Sequence, residues 1–100
     1  MRTLYQVMGD YAKAEPLFKE ALQIRQKVLG REHSVTAVSL NNLALLYTKE
    51  GDLAKAEPLY KEALEILQKV VGGEHPLTAT SLNNLATVIT DDSGLSQGSQ

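Results

Sequence analysis

Laying the chain over itself with a shift of 42 residues aligns Leu4–Ala44 with Leu46–Ala86, and 29 of those 41 positions are identical. GDYAKAEPLFKEALQIRQKVLGREHSVTAVSLNNLA stands over GDLAKAEPLYKEALEILQKVVGGEHPLTATSLNNLA, with exchanges as mild as Phe18 for Tyr60 and Leu29 for Val71. Self-similarity at such a period is the mark of a stacked array, in which each unit buries its apolar face only against its neighbours. The 100 residues that would otherwise suggest one small core therefore read as about two copies of one unit, cut at both ends.

Each unit reads as two helices. In the second copy Ala56, Leu59, Tyr60, Ala63, Leu64, Leu67, Val70 and Val71 fall at the three-four spacing of one helical face. The first copy repeats this with Ala14, Leu17, Phe18, Ala21, Leu22, Val28 and Leu29, but places Arg25 where Leu67 stands. Gly9-Asp10 and Gly51-Asp52 supply a glycine stop followed by a capping aspartate, and Gly30 and Gly72-Gly73 end the long helices. Pro16 and Pro58 each remove one hydrogen bond early in a helix, and their recurrence marks them as tolerated kinks. The other helix of the unit buries Ala37, Leu40, Leu43, Ala44 and Tyr47, matched by Ala79, Leu82, Leu85, Ala86 and Ile89. The expected helices span about 2–8, 11–29, 35–50, 53–71 and 77–91. A flexible polar tail, 92–100, follows the array at 1–91. No run favours a strand, so the chain is all-α.

Composition narrows the function. With no cysteine, disulfide scaffolds, thiolate zinc sites and cysteine nucleophiles are excluded. A net charge of −2 is far from the basic surface of a nucleic-acid binder. Apolar runs are only a few residues long, so no membrane span is expected. Met1–Gln6 lacks the apolar stretch of a signal peptide. A cytoplasmic location is the expectation that follows.

The residues Leu40, Leu43-Ala44, Tyr47, Gly51-Asp52, Ala56, Tyr60 and Ala63 closely resemble the tetratricopeptide repeat. The 42-residue unit SLNNLA…Y…GD…KAEPLYKEALEI, closed by a turn of the form LG..HP.TA, looks like the kinesin-light-chain-like subclass, whose extra length lies in the second helix and the turn. The resemblance covers residues 2–90. It implies antiparallel helix-turn-helix units stacked as a right-handed α-solenoid, with small Ala44, Ala56 and Ala63 at close helix contacts. It also implies a non-catalytic protein-interaction module that binds a protein or peptide as a scaffold, and charge and hydropathy add the expectation of no nucleic acid and no membrane partner.

In such arrays the first helix of each unit lines a concave groove. Carried over, the groove residues are Val38, Asn41, Asn42, Leu45, Thr48 and Lys49, then Thr80, Asn83, Asn84 and Thr87, with Thr3 and Gln6 before them. Asn41-Asn42 and Asn83-Asn84 stand out on their own account. Asparagine is a poor mid-helix residue, so its repetition in both units points to a use, either a bond to a neighbouring helix or a grip on a bound peptide backbone. Lys49 is the one clear cation of this groove, so a lysine-arginine clamp for carboxylates is not matched.

Other chemistry finds little support. His33 and His75 recur one unit apart, too distant to share an ion, and a zinc site wants three or four converging ligands. They read as turn-stabilising residues at helix starts, and no metal, cofactor or catalytic residue is expected. Ser39 and Ser81 lack the strand-turn-helix surroundings of a nucleophilic serine, and no glycine spacing cradles phosphate. Glu15/Lys19, Glu57/Lys61 and Glu65/Lys69, each four apart with the acid first, read as solvated pairs. Ser34 in place of Pro76 suggests a looser first turn. Two units are few for a stable stack, and uncovered helix faces at the ends suggest a homo-oligomer, with a helix-swapped dimer as one form of it, or a fragment of a longer repeat array.

Overall fold

The computed structural model describes residues 10–98, with side chains from Tyr11 to Thr90. The expected short helix at 2–8, and Thr3 and Gln6 with it, lie outside the described residues. Four helices follow one another: α1 (Asp10–Leu29), α2 (Ser34–Lys49), α3 (Leu53–Val70) and α4 (Pro76–Gly98). The described residues contain no strand, and each helix packs on the next in an all-α solenoid of about two repeats.

Local chemistry sets the boundaries. Gly51 and Gly72 take φ of 87° and 98°, the left-handed conformation that ends a helix and that a side chain would strain. The Asp52 side chain then accepts from Lys55 N, which starts α3. The turns before α2 and α4 are closed identically. Thr36 donates its hydroxyl to the Gly30 carbonyl and Thr78 to that of Gly72, both at 2.7 Å. Replacing Pro76 by Ser34 therefore does not open the first turn, which is further tied to α3 by Arg31–Glu62 at 3.3 Å and Glu32–Lys69 at 2.9 Å. That second pair corrects one expectation. Lys69 reaches back to the turn instead of to Glu65 on its own helix, whereas Lys19–Glu15 and Lys61–Glu57 do form within their helices.

Helix α2 sits between α1 and α3 and uses a different face for each. Thr36, Ser39, Leu43 and Leu46 turn toward α1, where Ser39 accepts a 2.6 Å bond from the Arg25 guanidinium. Ala37, Leu40, Ala44 and Tyr47 turn toward α3 and are all at most 5% exposed. Alanine lets the two helices close up: Ala44, Ala56 and Ala63 are wholly buried, and bulk comes from Leu40, Tyr47, Tyr60 and Leu67 around them.

The second unit does not repeat this burial. On α4 the covered residues are Thr78, Ser81 and Val88, with Leu85 half-buried, the register mates of the face that α2 turns toward α1. Of the expected inward set Ala79, Leu82, Leu85, Ala86 and Ile89, all but Leu85 are exposed, because no helix equivalent to α3 follows α4 among the described residues. The expected tail is also corrected in part, since helical backbone continues through 92–98 to Gly98. No proline interrupts that stretch, and extending an existing helix avoids the cost of starting a new one.

Candidate partner-binding groove

The first helices of the two units, α2 and α4, carry the ten expected groove residues, and the asparagine pairs separate into two roles. Asn41 is half-buried: its amide Nδ2 donates to Ser81 Oγ across 2.9 Å, and its Oδ1 is shielded with no partner. Asn42 is exposed. In the second unit Asn83, the mate of Asn41, is exposed and Asn84 is half-buried. In the first unit Asn41 thus bonds to the following unit, while Asn42 opens toward α1 of the preceding one.

Three of the expected threonines are committed to their own helices. Thr48 donates to the Ala44 carbonyl at 2.9 Å, Thr80 to that of Pro76 at 3.1 Å and Thr87 to that of Asn83 at 2.9 Å. Such back-bonding uses the hydroxyl proton and leaves only acceptor capacity for a ligand. Val38 is half-buried.

Asn42, Leu45 and Lys49, by contrast, converge. Together with Leu46 they meet Tyr11, Ala14 and Phe18 of α1 around an open cavity of about 420 Å³. Its lining is mainly aromatic and aliphatic, its side-chain polar groups are the Tyr11 hydroxyl, the Asn42 amide and the Lys49 ammonium, and Leu45 is 44% exposed. An apolar pocket with a few directed polar groups is the ordinary form of a recognition site. The α1 contribution was missed in the sequence because Ala14 and Phe18 read there only as packing residues. Tyr11 and Phe18, seven apart and so on one face, are the signal that could have found it.

Next to this cavity, Glu15 of α1 accepts the Tyr47 hydroxyl at 2.9 Å and pairs with Lys19 at 3.1 Å. Those two bonds, the tyrosine's first, hold the Glu15 carboxyl below its ordinary value. Tyr47 is pushed up by its own burial and then by the neighbouring carboxylate.

The histidines act locally. His33 Nδ1 accepts from Val35 N and His75 Nδ1 from Leu77 N, each at 3.0 Å, so each caps the start of a helix. Ser39 and Ser81 are buried acceptors for Arg25 and Asn41. Among the described residues no three acidic, histidine or cysteine side chains gather as metal ligands, and no helix is long and apolar enough to cross a membrane.

Against known proteins, the family model described as the tetratricopeptide repeat matches this chain twice, over residues 3–69 and 39–89. No curated protein matches it.

Proposed function

Because the chain belongs to the tetratricopeptide-repeat family, whose repeats mediate protein–protein interactions, we propose that it is a non-catalytic scaffold module gripping an extended segment of a protein partner along α2 and α4. The 42-residue period places it, in this reading, with the kinesin-light-chain-like members.

One observation carries the proposal: Asn42, Leu45 and Lys49 open together onto the cavity floored by Tyr11, Ala14 and Phe18. An apolar or aromatic side chain of the partner fills that cavity. The Asn42 amide both donates and accepts, and so can hold the backbone of the same segment. Lys49, exposed at the rim, favours an acidic residue beside the anchor. Charge at a rim adjusts the rate and selectivity of docking more than its strength.

A random peptide library displayed on phage tests the reading, with enriched peptides then titrated against single variants of the chain. Asn42→Ala, Leu45→Ala and Phe18→Ala each weaken binding about tenfold or more, and Lys49→Glu reverses the preference for acidic neighbours. By register Tyr5 matches Tyr47, which packs against Ala56 and Tyr60 in the second unit. Titrating Tyr5→Ala therefore separates a cavity that peptides enter freely from one for which the chain's own first residues compete. Peptides whose binding ignores all of these changes would show that the groove is elsewhere.

A further inference from the structure

The two ends of the described stack are the two halves of a contact the chain already makes once inside itself. At one end α4 presents Ala79, Leu82, Ala86 and Ile89, with Leu82 46% and Ile89 43% exposed. Their register mates Ala37, Leu40, Ala44 and Tyr47 are buried because α3 lies on them. At the other end α1 repeats α3. Leu17, Ala21 and Ile24 stand where Leu59, Ala63 and Ile66 stand. Ala63 and Ile66 are buried in a cluster with Ala37 and Leu40, whereas Leu17 is 67% and Ile24 53% exposed. Exposed leucine and isoleucine on one helical face, with a complementary leucine-alanine face at the far end, are unusual unless something covers them.

We propose that this chain associates head to tail with a second copy of itself, the exposed face of α4 docking on α1 of the copy to reproduce the α2–α3 contact between chains. The inference rests on the repeat and on the two exposed faces; by register Ala86 and Ile89 of the docked copy fall at Ala14 and Phe18, so self-association and a partner segment compete for the groove cavity. The closest match is between the N-terminal part of one helix and the C-terminal part of the other: Ala79 and Leu82 meet Ala21 and Ile24, as Ala37 and Leu40 meet Ala63 and Ile66.

One difference sets the strength. Arg25 stands where Leu67 is wholly buried in the internal contact, and its guanidinium is turned to Ser39 of its own chain at 2.6 Å. The contact between copies thus loses a buried leucine and carries a charge at its edge, so it is weaker than the internal one and depends on concentration. Its two surfaces are different, so each added copy leaves one face free at either end. Heterologous contacts of this kind build a ladder of species and do not stop at a symmetric dimer.

Sedimentation of the full chain across the micromolar range tests this, with circular dichroism to confirm that every variant is folded. The average mass is expected to climb above the 10.9 kDa of one chain as concentration rises. Leu82→Glu and Ile24→Glu alter opposite, exposed ends. Each alone is expected to stay at the mass of one chain, while an equimolar mixture forms a heterodimer, because one variant keeps α1 intact and the other keeps α4. Arg25→Leu restores the missing leucine and tightens self-association by about tenfold. A single-chain mass for the unaltered protein at every concentration overturns the proposal. So does loss of association with Leu82→Glu but not Ile24→Glu, the pattern of two α4 faces pairing symmetrically. Association that neither variant changes, as in an exchange of whole helices, overturns it equally.

Discussion

Asn41 on α2 donates its side-chain amide to Ser81 on α4, 2.9 Å away in space and 40 residues along the chain. The bond joins the first helices of successive units directly, at a place where α3 provides most of the connection between them. Asn41→Ala is therefore expected to lower unfolding stability by about 1 kcal/mol, the usual net worth of a partly buried hydrogen bond. Asn42→Ala, at an exposed position, should stay within about 0.5 kcal/mol. Urea denaturation of the two variants checks this, and equal losses would show that the pair is not divided between stack and groove.

The histidine caps give a second expectation. His33 and His75 each accept a backbone N–H with Nδ1 at 3.0 Å, satisfying one of the donors left open at a helix start. Replacing either by alanine should cost about 1 kcal/mol. Asparagine, whose side-chain oxygen can take the same bond, should recover most of it. Thermal denaturation of His75→Ala and His75→Asn reads the difference, and a role in metal binding or proton transfer would leave asparagine no better than alanine.

The two-helix unit, its glycine stops and the buried set Ala37, Leu40, Leu43, Ala44 and Tyr47 are legible in the sequence because local spacing and a 42-residue recurrence specify them. Position in the stack is not legible in the same way. Ala79, Leu82, Ala86 and Ile89 read as core because their mates are core, yet burial belongs to a residue together with its neighbour, and here the neighbour is missing among the described residues. Bonds between distant elements were equally hidden. Lys69 finds Glu32 rather than Glu65, and Glu15 finds Tyr47, because stacking brings together residues more than thirty apart. For the groove, the sequence supplied Asn42, Leu45 and Lys49. The opposite wall, Tyr11, Ala14 and Phe18, required knowing how α1 lies against α2.

The Glu15–Tyr47 bond makes a pH-dependent contribution whose sign is set by the lowered carboxyl. In the folded chain Glu15 holds its proton less tightly than the ordinary 4.5, chiefly through the Tyr47 hydroxyl and then Lys19. The folded state therefore prefers the ionised form. This stabilisation is complete above the ordinary value and is lost as pH falls through the lowered one. Glu15→Gln should flatten the acid side of the stability profile. Tyr47→Phe should flatten it partly, since Lys19 remains, and should also cost about 1 kcal/mol at neutral pH for the lost bond. Denaturation midpoints measured from neutral pH down to below pH 4.5 test the sign, and a variant profile as steep as the unaltered one would assign the acid sensitivity to other carboxylates.

Leu40 and Leu82 offer the sharpest test of how the stack holds together, because they are the same residue in the same motif, SLNNLA, one unit apart. Leu40 is 1% exposed, enclosed by Ala37, Ala63, Ile66 and Leu67, while Leu82 is 46% exposed on the uncovered side of α4. Truncating Leu40 to alanine removes buried methyl groups and leaves a cavity between two helices that cannot close further, which costs about 2–5 kcal/mol. The same change at Leu82 leaves no cavity, and in the single chain it should cost less than about 1 kcal/mol. Dilute samples isolate that single-chain value. At higher concentration, coverage of the α4 face by another helix would raise the apparent cost at Leu82 toward that at Leu40, since binding to the folded state adds to its stability by mass action. Equal costs at high dilution would mean that α4 is covered within one chain.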